Sequence, residues 1–135
     1  MNYRGFLAAL AACLAWASPA HADPCEAPLP SKGRIFSGVV RYVGDGDGLC
    51  VGPAGQPRAW IEVRLADFYA PELNEPGGRD AKRRLQRTVM GKRLVCRADR
   101  HSYDRVVASC TLEGRPLGKL LRDAGGVEAG RGWPR

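Results

Sequence analysis

Residues 1–22 carry the marks of a secretory signal peptide, and that reading sets the size and redox setting of whatever folds behind it. Arg4 supplies the positive start, Phe6 to Ala17 the apolar run, and Ala20-His21-Ala22 the small-x-small cleavage site. The run is too short to span a bilayer, and polar, Pro-rich sequence follows it. Leu10-Ala11-Ala12-Cys13 competes as a lipoprotein box that would leave Cys13 lipidated, but the later site is better formed and is preferred. Cleavage after Ala22 leaves 113 of the 135 residues, and losing Arg4 lowers the formal net charge from +7 to +6. The expected product is small, basic, and periplasmic or secreted, with no membrane span. Its hydrophobic core can only be modest.

Export changes the meaning of the cysteines. Setting Cys13 aside leaves Cys25, Cys50, Cys96 and Cys110, an even number in an oxidising compartment. Zinc is the competing use of four cysteines, but no pair has C-x-x-C spacing. Two disulfides are the better reading, and Cys96–Cys110 with Cys25–Cys50 is the preferred pairing of three. Cys96 and Cys110 end two expected strands joined by a polar turn, Arg97 to Arg105, so a hairpin would bring them together.

Seventeen glycines and ten prolines point to many turns, which suits a small β-rich domain better than a helical bundle. Residues 23–34 read as an irregular leader tied down by Cys25. Phe36 to Val43 is rich in β-branched and aromatic residues and stops at Gly44-Asp45-Gly46-Asp47-Gly48. Leu49 to Val51 is a second strand and Arg58 to Leu65 a third, in which Ile61, Val63 and Leu65 share one face. Asp80 to Met90 is a helix with Ala81, Leu85 and Val89 at four-residue spacing, and Gly91 ends it. Its other face carries Lys82, Arg83, Arg84 and Arg87, a solvated basic face unless a polyanion uses it. Leu94 to Arg97 and Val106 to Leu112 complete five strands, and Leu117 to Ala124 is a short helix. Five short strands with a helix between the third and fourth predict a mainly β (α+β) fold, a five-stranded OB-fold barrel. The domain spans 35–127, and 128–135 reads as a basic tail. The absence of repeats and linkers makes this one domain and excludes a repeat array.

Two acidic and basic constellations carry chemistry. Asp45-Gly46-Asp47-Gly48 packs two carboxylates into a Gly-rich strand end, a setting for hard cations such as Ca²⁺ or Mg²⁺ and equally an ordinary turn. Arg64 to Glu72 leads out of a strand through Pro71, and Tyr103-Asp104-Arg105 places a second arginine before the fifth strand. Two guanidiniums and a carboxylate are the groups that phosphodiester hydrolysis needs. The arginines grip phosphate and stabilise charge growing on its oxygens, and the carboxylate orients or deprotonates a water. Spacing alone does not separate this set from surface ion pairs.

Taken in order, Gly38-x-Val40, Asp45-Gly46-Asp47, Arg64-Leu65-x5-Pro71-Glu72, Gly91-Lys92, Tyr103-x-Arg105-x-Val107-Ala108 and Leu120-x-x-x-Ala124-Gly125 resemble the staphylococcal-nuclease-like (thermonuclease) family. The likeness runs from about Phe36 to Val127. It implies an OB-fold barrel and Ca²⁺-dependent cleavage of DNA or RNA through attack of water on phosphorus; the exported protein is expected to be a monomer. By motif position, Arg64 and Arg105 match phosphate-binding arginines and Glu72 the carboxylate that acts on water. Asp47 matches a Ca²⁺ ligand, with Asp45 a further candidate, and Tyr103 matches an aromatic position beside the nucleotide.

Three departures from the family pattern bear on that expectation. Tyr69 stands where the family has a second aspartate ligand, Gly48 where it has threonine, and Asp104 where it has glycine. Asp67, two residues before Tyr69, is the one nearby carboxylate that could compensate. The alternative reading is a catalytically impaired OB-fold module that binds nucleic acid or another polyanion.

Overall fold

In the computed structural model of the chain, residues 23–130 are described. The expected signal peptide, Cys13 and the end of the basic tail lie outside them. The elements run β1 (Ile35–Val43), β2 (Gly48–Val51), a single 3₁₀ turn (Pro57–Ala59), β3 (Ile61–Leu65), α1 (Gly78–Val89), β4 (Arg93–Ser102), β5 (Arg105–Leu112), β6 (Arg115–Pro116) and α2 (Leu117–Asp123).

The sheet has six strands in the order β3-β2-β1-β4-β5-β6, antiparallel between neighbours. A further, parallel pairing of β3 with β5 joins Val63 to Val106 and Arg64 to Val107, which closes β1 to β5 into a ring. Closure leaves those five strands without a free edge along the β3–β5 seam. Alternation along β3 and β5 then decides what each side chain meets. Val63, Leu65, Val106 and Ala108 point inward and are fully buried, whereas Glu62, Arg64 and Arg105 point outward and are only partly covered.

The core inside the ring is capped by the two helices. Ala81, Leu85 and Val89 are the buried stripe of α1, as their four-residue spacing predicts, and Leu117 and Leu121 serve α2. Phe68, from the segment after β3, is buried in the same cluster.

The strand count and several boundaries differ from the sequence expectation. The third strand starts at Ile61 rather than Arg58, because Pro57 opens a 3₁₀ turn. The polar stretch after Arg97 is not a long turn. It is strand as far as Ser102, with a register irregularity between Ala98 and His101, and its charged side chains face solvent. Tyr103-Asp104 is the whole turn, with Tyr103 at φ 58°. A sixth strand, β6, appears because Glu113 (φ 51°) and Gly114 (φ 76°) form a second two-residue hairpin turn.

The ends of the described chain are fastened to the sheet. Cys25 pairs with Cys50 and Cys96 with Cys110, the preferred pairing. Glu26 N donates to Pro57 O at 3.1 Å and Ala27 N to Trp60 O at 3.0 Å, so the leader lies along the approach to β3. The start of the basic tail is not loose. Ala129 N donates to Tyr69 O at 3.0 Å, and Glu128 Oε1 accepts from Tyr69 N at 3.1 Å. The segment after α2 therefore straps the loop that follows β3.

Candidate active site

The turn between β1 and β2 delivers the acidic pair. Asp47 N donates to Asp45 Oδ1 at 3.1 Å, an Asx-type turn that draws the two side chains together. A side chain on Gly48 would meet Asp45 Oδ1 at 2.9 Å, so the glycine makes room for that carboxylate. Asp47 is the one buried charged residue among the described residues. Its Oδ2 accepts from Ala70 N at 3.1 Å, and its carbonyl accepts from Leu65 N at 2.8 Å. Burial, and then Asp45 beside it, push the Asp47 carboxyl up to about 7, against the pull of the Ala70 amide and Arg64.

Arg64 stands next to this pair. Gly48 faces Arg64 across β2–β3, and Val107 faces it across β3–β5. Its guanidinium carbon lies 6.0 Å from the centre of the Tyr69 ring. Arg64 Nε is buried and has no hydrogen-bond partner among the described residues. A guanidinium N–H hidden from water in this way is costly unless an acceptor arrives.

Arg105, at the start of β5, lines a cleft of about 410 Å³ with Asp45, Gly48, Glu62, Leu73 and Lys82. Glu72 is exposed and lines a separate cleft of about 680 Å³ with Asn74, Glu75 and Gly130. Leu73, the next residue, belongs to the Arg105 cleft and to a basic groove of about 540 Å³ with Arg79, Lys82 and Arg83. The Glu72 loop depends on Gly78, whose hydrogen faces Glu72 O so closely that a side chain there would overlap it.

The sequence-selected residues thus fall into groups. Asp45, Asp47 and Arg64 adjoin one another, and Asp45 shares a cleft with Arg105. Glu72 sits one residue beyond that cleft. Asp67 is engaged elsewhere: its Oδ2 accepts from Gly118 N at 2.9 Å at the first turn of α2, and its carbonyl accepts from Arg122. Tyr103 is 96% exposed at the tip of its turn. The basic face of α1 is divided as well. Arg83 pairs with Asp80, Arg84 donates to Ala124 O, and Lys82 turns to the cleft.

One carboxylate in the cleft has no role in the sequence reading. Glu62 is pushed up to about 8, chiefly by burial and then by Asp23, with Arg105 opposing. Its position on the outward face of β3 is legible from alternation. Its meeting with the leader and the β4–β5 turn depends on the ring closure, which local pattern does not reveal.

Asp45 and Asp47 suit a hard divalent cation in donor type, and their crowding is the kind that a cation relieves. Tyr69 adds an aromatic ring and no carboxylate, so the pair is the whole acidic set at this turn. No protein-family model matches the chain, and a search of curated proteins finds no match.

Proposed function

We propose that the chain is an exported phosphodiesterase of the thermonuclease type that hydrolyses DNA or RNA, built on an OB-fold barrel. The order β1-β2-β3-β5-β4 around the ring, with α1 between β3 and β4, supports the OB-fold assignment. The observation that carries the function is the buried, unpartnered Nε of Arg64 beside the Asp45–Asp47 pair, with Arg105 on the strand that closes against β3. Such a donor is built for an anion, and a phosphate oxygen supplies the acceptor it lacks.

On this reading the two arginines bind the scissile phosphate and stabilise charge growing on its oxygens. Glu72, from the loop whose next residue, Leu73, lines the Arg105 cleft, orients a water and accepts its proton as the water oxygen bonds to phosphorus. The ester oxygen departs and is protonated. Asp45 and Asp47 would hold Ca²⁺ or another divalent cation, whose charge neutralises the phosphate. Lys82 and the groove of Arg79 and Arg83 attract the flanking strand in a salt-dependent way.

A second reading, an impaired OB-fold module that binds nucleic acid without cleaving it, draws on Glu72 lining a different cleft from Arg105 and on Asp67 Oδ2 being taken by the first turn of α2. Glu72→Gln separates the two. Under the phosphodiesterase reading it lowers turnover of an oligonucleotide by at least about a hundredfold while affinity persists. Equal turnover in both proteins would remove Glu72 from the chemistry, and no turnover in either would leave the binding module.

A further inference from the structure

The pairing of β1 with β2 slips by one residue between Val40 and Tyr42. Val40 faces Val51 and Val43 faces Leu49, and all four side chains are buried in the core. An unbroken strand that buries Val40 would bury the side chain at 42 as well. With Arg41 as the extra residue, Tyr42 instead faces Cys50 and turns to the outer side of the sheet, where it is half-buried. It lines the cleft of about 410 Å³ that also holds Glu62 and Arg105. Cys50 faces Glu62 across β2–β3, and Glu62 and Arg105 each precede the Val63–Val106 pair across β3–β5. Tyr42 and Arg105 thus stand at opposite ends of one row that crosses four strands.

Among the described residues, Tyr42 is the one aromatic side chain that lines this cleft; Tyr103 is 96% exposed at the tip of its turn and does not. Gly44 leaves the ring uncovered on one side, since a side chain there would sit 3.4 Å from Tyr42 Cε1. Leu73 adds an apolar surface, and Lys82 and Arg105 add two cations. Asp23 and Asp45 offset those cations in the same lining, which tells against a bare anion as the ligand. Glu62, pushed up to about 8 chiefly by burial, keeps its proton near neutral pH and adds no charge. The lining suits a ligand with one anionic group, a flat apolar face and polar edges, which is the chemistry of a nucleotide. We infer that Tyr42 is the base-stacking residue of the cleft: a nucleobase lies on its ring while the phosphate of that nucleotide reaches Arg105 or Lys82. The inference deepens the phosphodiesterase reading and rests on nucleic acid being the ligand. It makes the grip on substrate depend on the base as well as on the backbone charge.

The test is fluorescence anisotropy of the oxidised protein in EDTA, with a labelled oligothymidylate beside an abasic strand of the same backbone and charge. The base-bearing strand should bind about five- to a hundredfold more tightly, the worth of one stacked base. Tyr42→Ala should remove that difference, Tyr42→Phe should keep it, and the abasic strand should bind all three proteins alike. In the unsubstituted protein the Tyr42 ring signals in the NMR spectrum should move upfield with the base-bearing strand alone, a readout that needs no variant to fold. Equal affinity for the two strands, or ring signals that stay in place, would overturn the stacking, as would a loss that follows Tyr103→Ala instead. Failure to bind either strand would overturn the nucleic-acid reading itself, and the subsite with it.

Discussion

Asp47→Asn should make the protein more stable at alkaline pH while disabling the site, and the size of the gain follows from the burial of one carboxylate. In the folded protein Asp47 keeps its proton until about 7, against 3.8 for the unperturbed group. The sign is set by which state ionises first. Below both values the folded and unfolded chains are equally protonated, and this residue's contribution is at its most favourable. As pH rises from about 4 to about 7 the unfolded chain releases its proton first, so stability falls; above 7 the loss levels off. Between pH 5 and pH 8 this amounts to about two pH units of differential ionisation, or about 3 kcal/mol. Asparagine keeps an oxygen for the Ala70 amide and has no charge to bury. Glu62, which is also pushed upward, is present in both proteins and cancels in the difference. Urea unfolding of the oxidised protein and the variant at pH 5, 6, 7 and 8, in EDTA, measures it. The two stabilities should diverge by about 3 kcal/mol across the series, with the variant ahead at pH 8. Parallel curves would refute the claim that Asp47 is ionised at a cost in the folded state.

Two further perturbations probe the parts that hold the site. Cys96 and Cys110 are 14 positions apart and Cys25 and Cys50 are 25 apart, so opening either bond should cost about 3 kcal/mol in the chain-entropy picture, seen as a lower urea midpoint after reduction. Four free thiols in the untreated protein would mean that neither bond forms. Gly78→Ala should displace Glu72 and destabilise the start of α1, with a loss of about 1–3 kcal/mol as expected for overpacking. An unchanged midpoint would show that the loop yields without strain.

The parts of this fold that could be read from sequence are those encoded locally. The buried stripe Ala81, Leu85 and Val89 follows from spacing alone, and the alternation of β3 places Val63 inside and Arg64 outside. The Cys96–Cys110 pairing is legible because the two cysteines lie on strands that a hairpin brings together, although they sit opposite each other inside β4 and β5 and not at the strand ends. What escaped depends on contacts distant in sequence or on turn chemistry. Arg97, Asp99, Arg100 and His101 are polar because they face water from a strand, and polarity alone made them resemble a loop. Glu113-Gly114 is a hairpin turn too short to stand out, so local pattern does not reveal β6. At the site, Asp45 and Asp47 are legible because they share one turn. The parallel β3–β5 seam that brings Glu62 to Asp104 and Asp23, and the strap from Glu128 and Ala129 to Tyr69, join segments with no shared pattern.

Cleavage of a labelled oligonucleotide by the processed, oxidised protein in EDTA, Mg²⁺ or Ca²⁺, beside Arg64→Gln, tests the central claim most directly. The account predicts cleavage only with a divalent cation, and a loss of about a hundred- to a thousandfold in turnover when the Arg64 guanidinium is gone. Cleavage that survives EDTA, or that Arg64→Gln leaves intact, would contradict it.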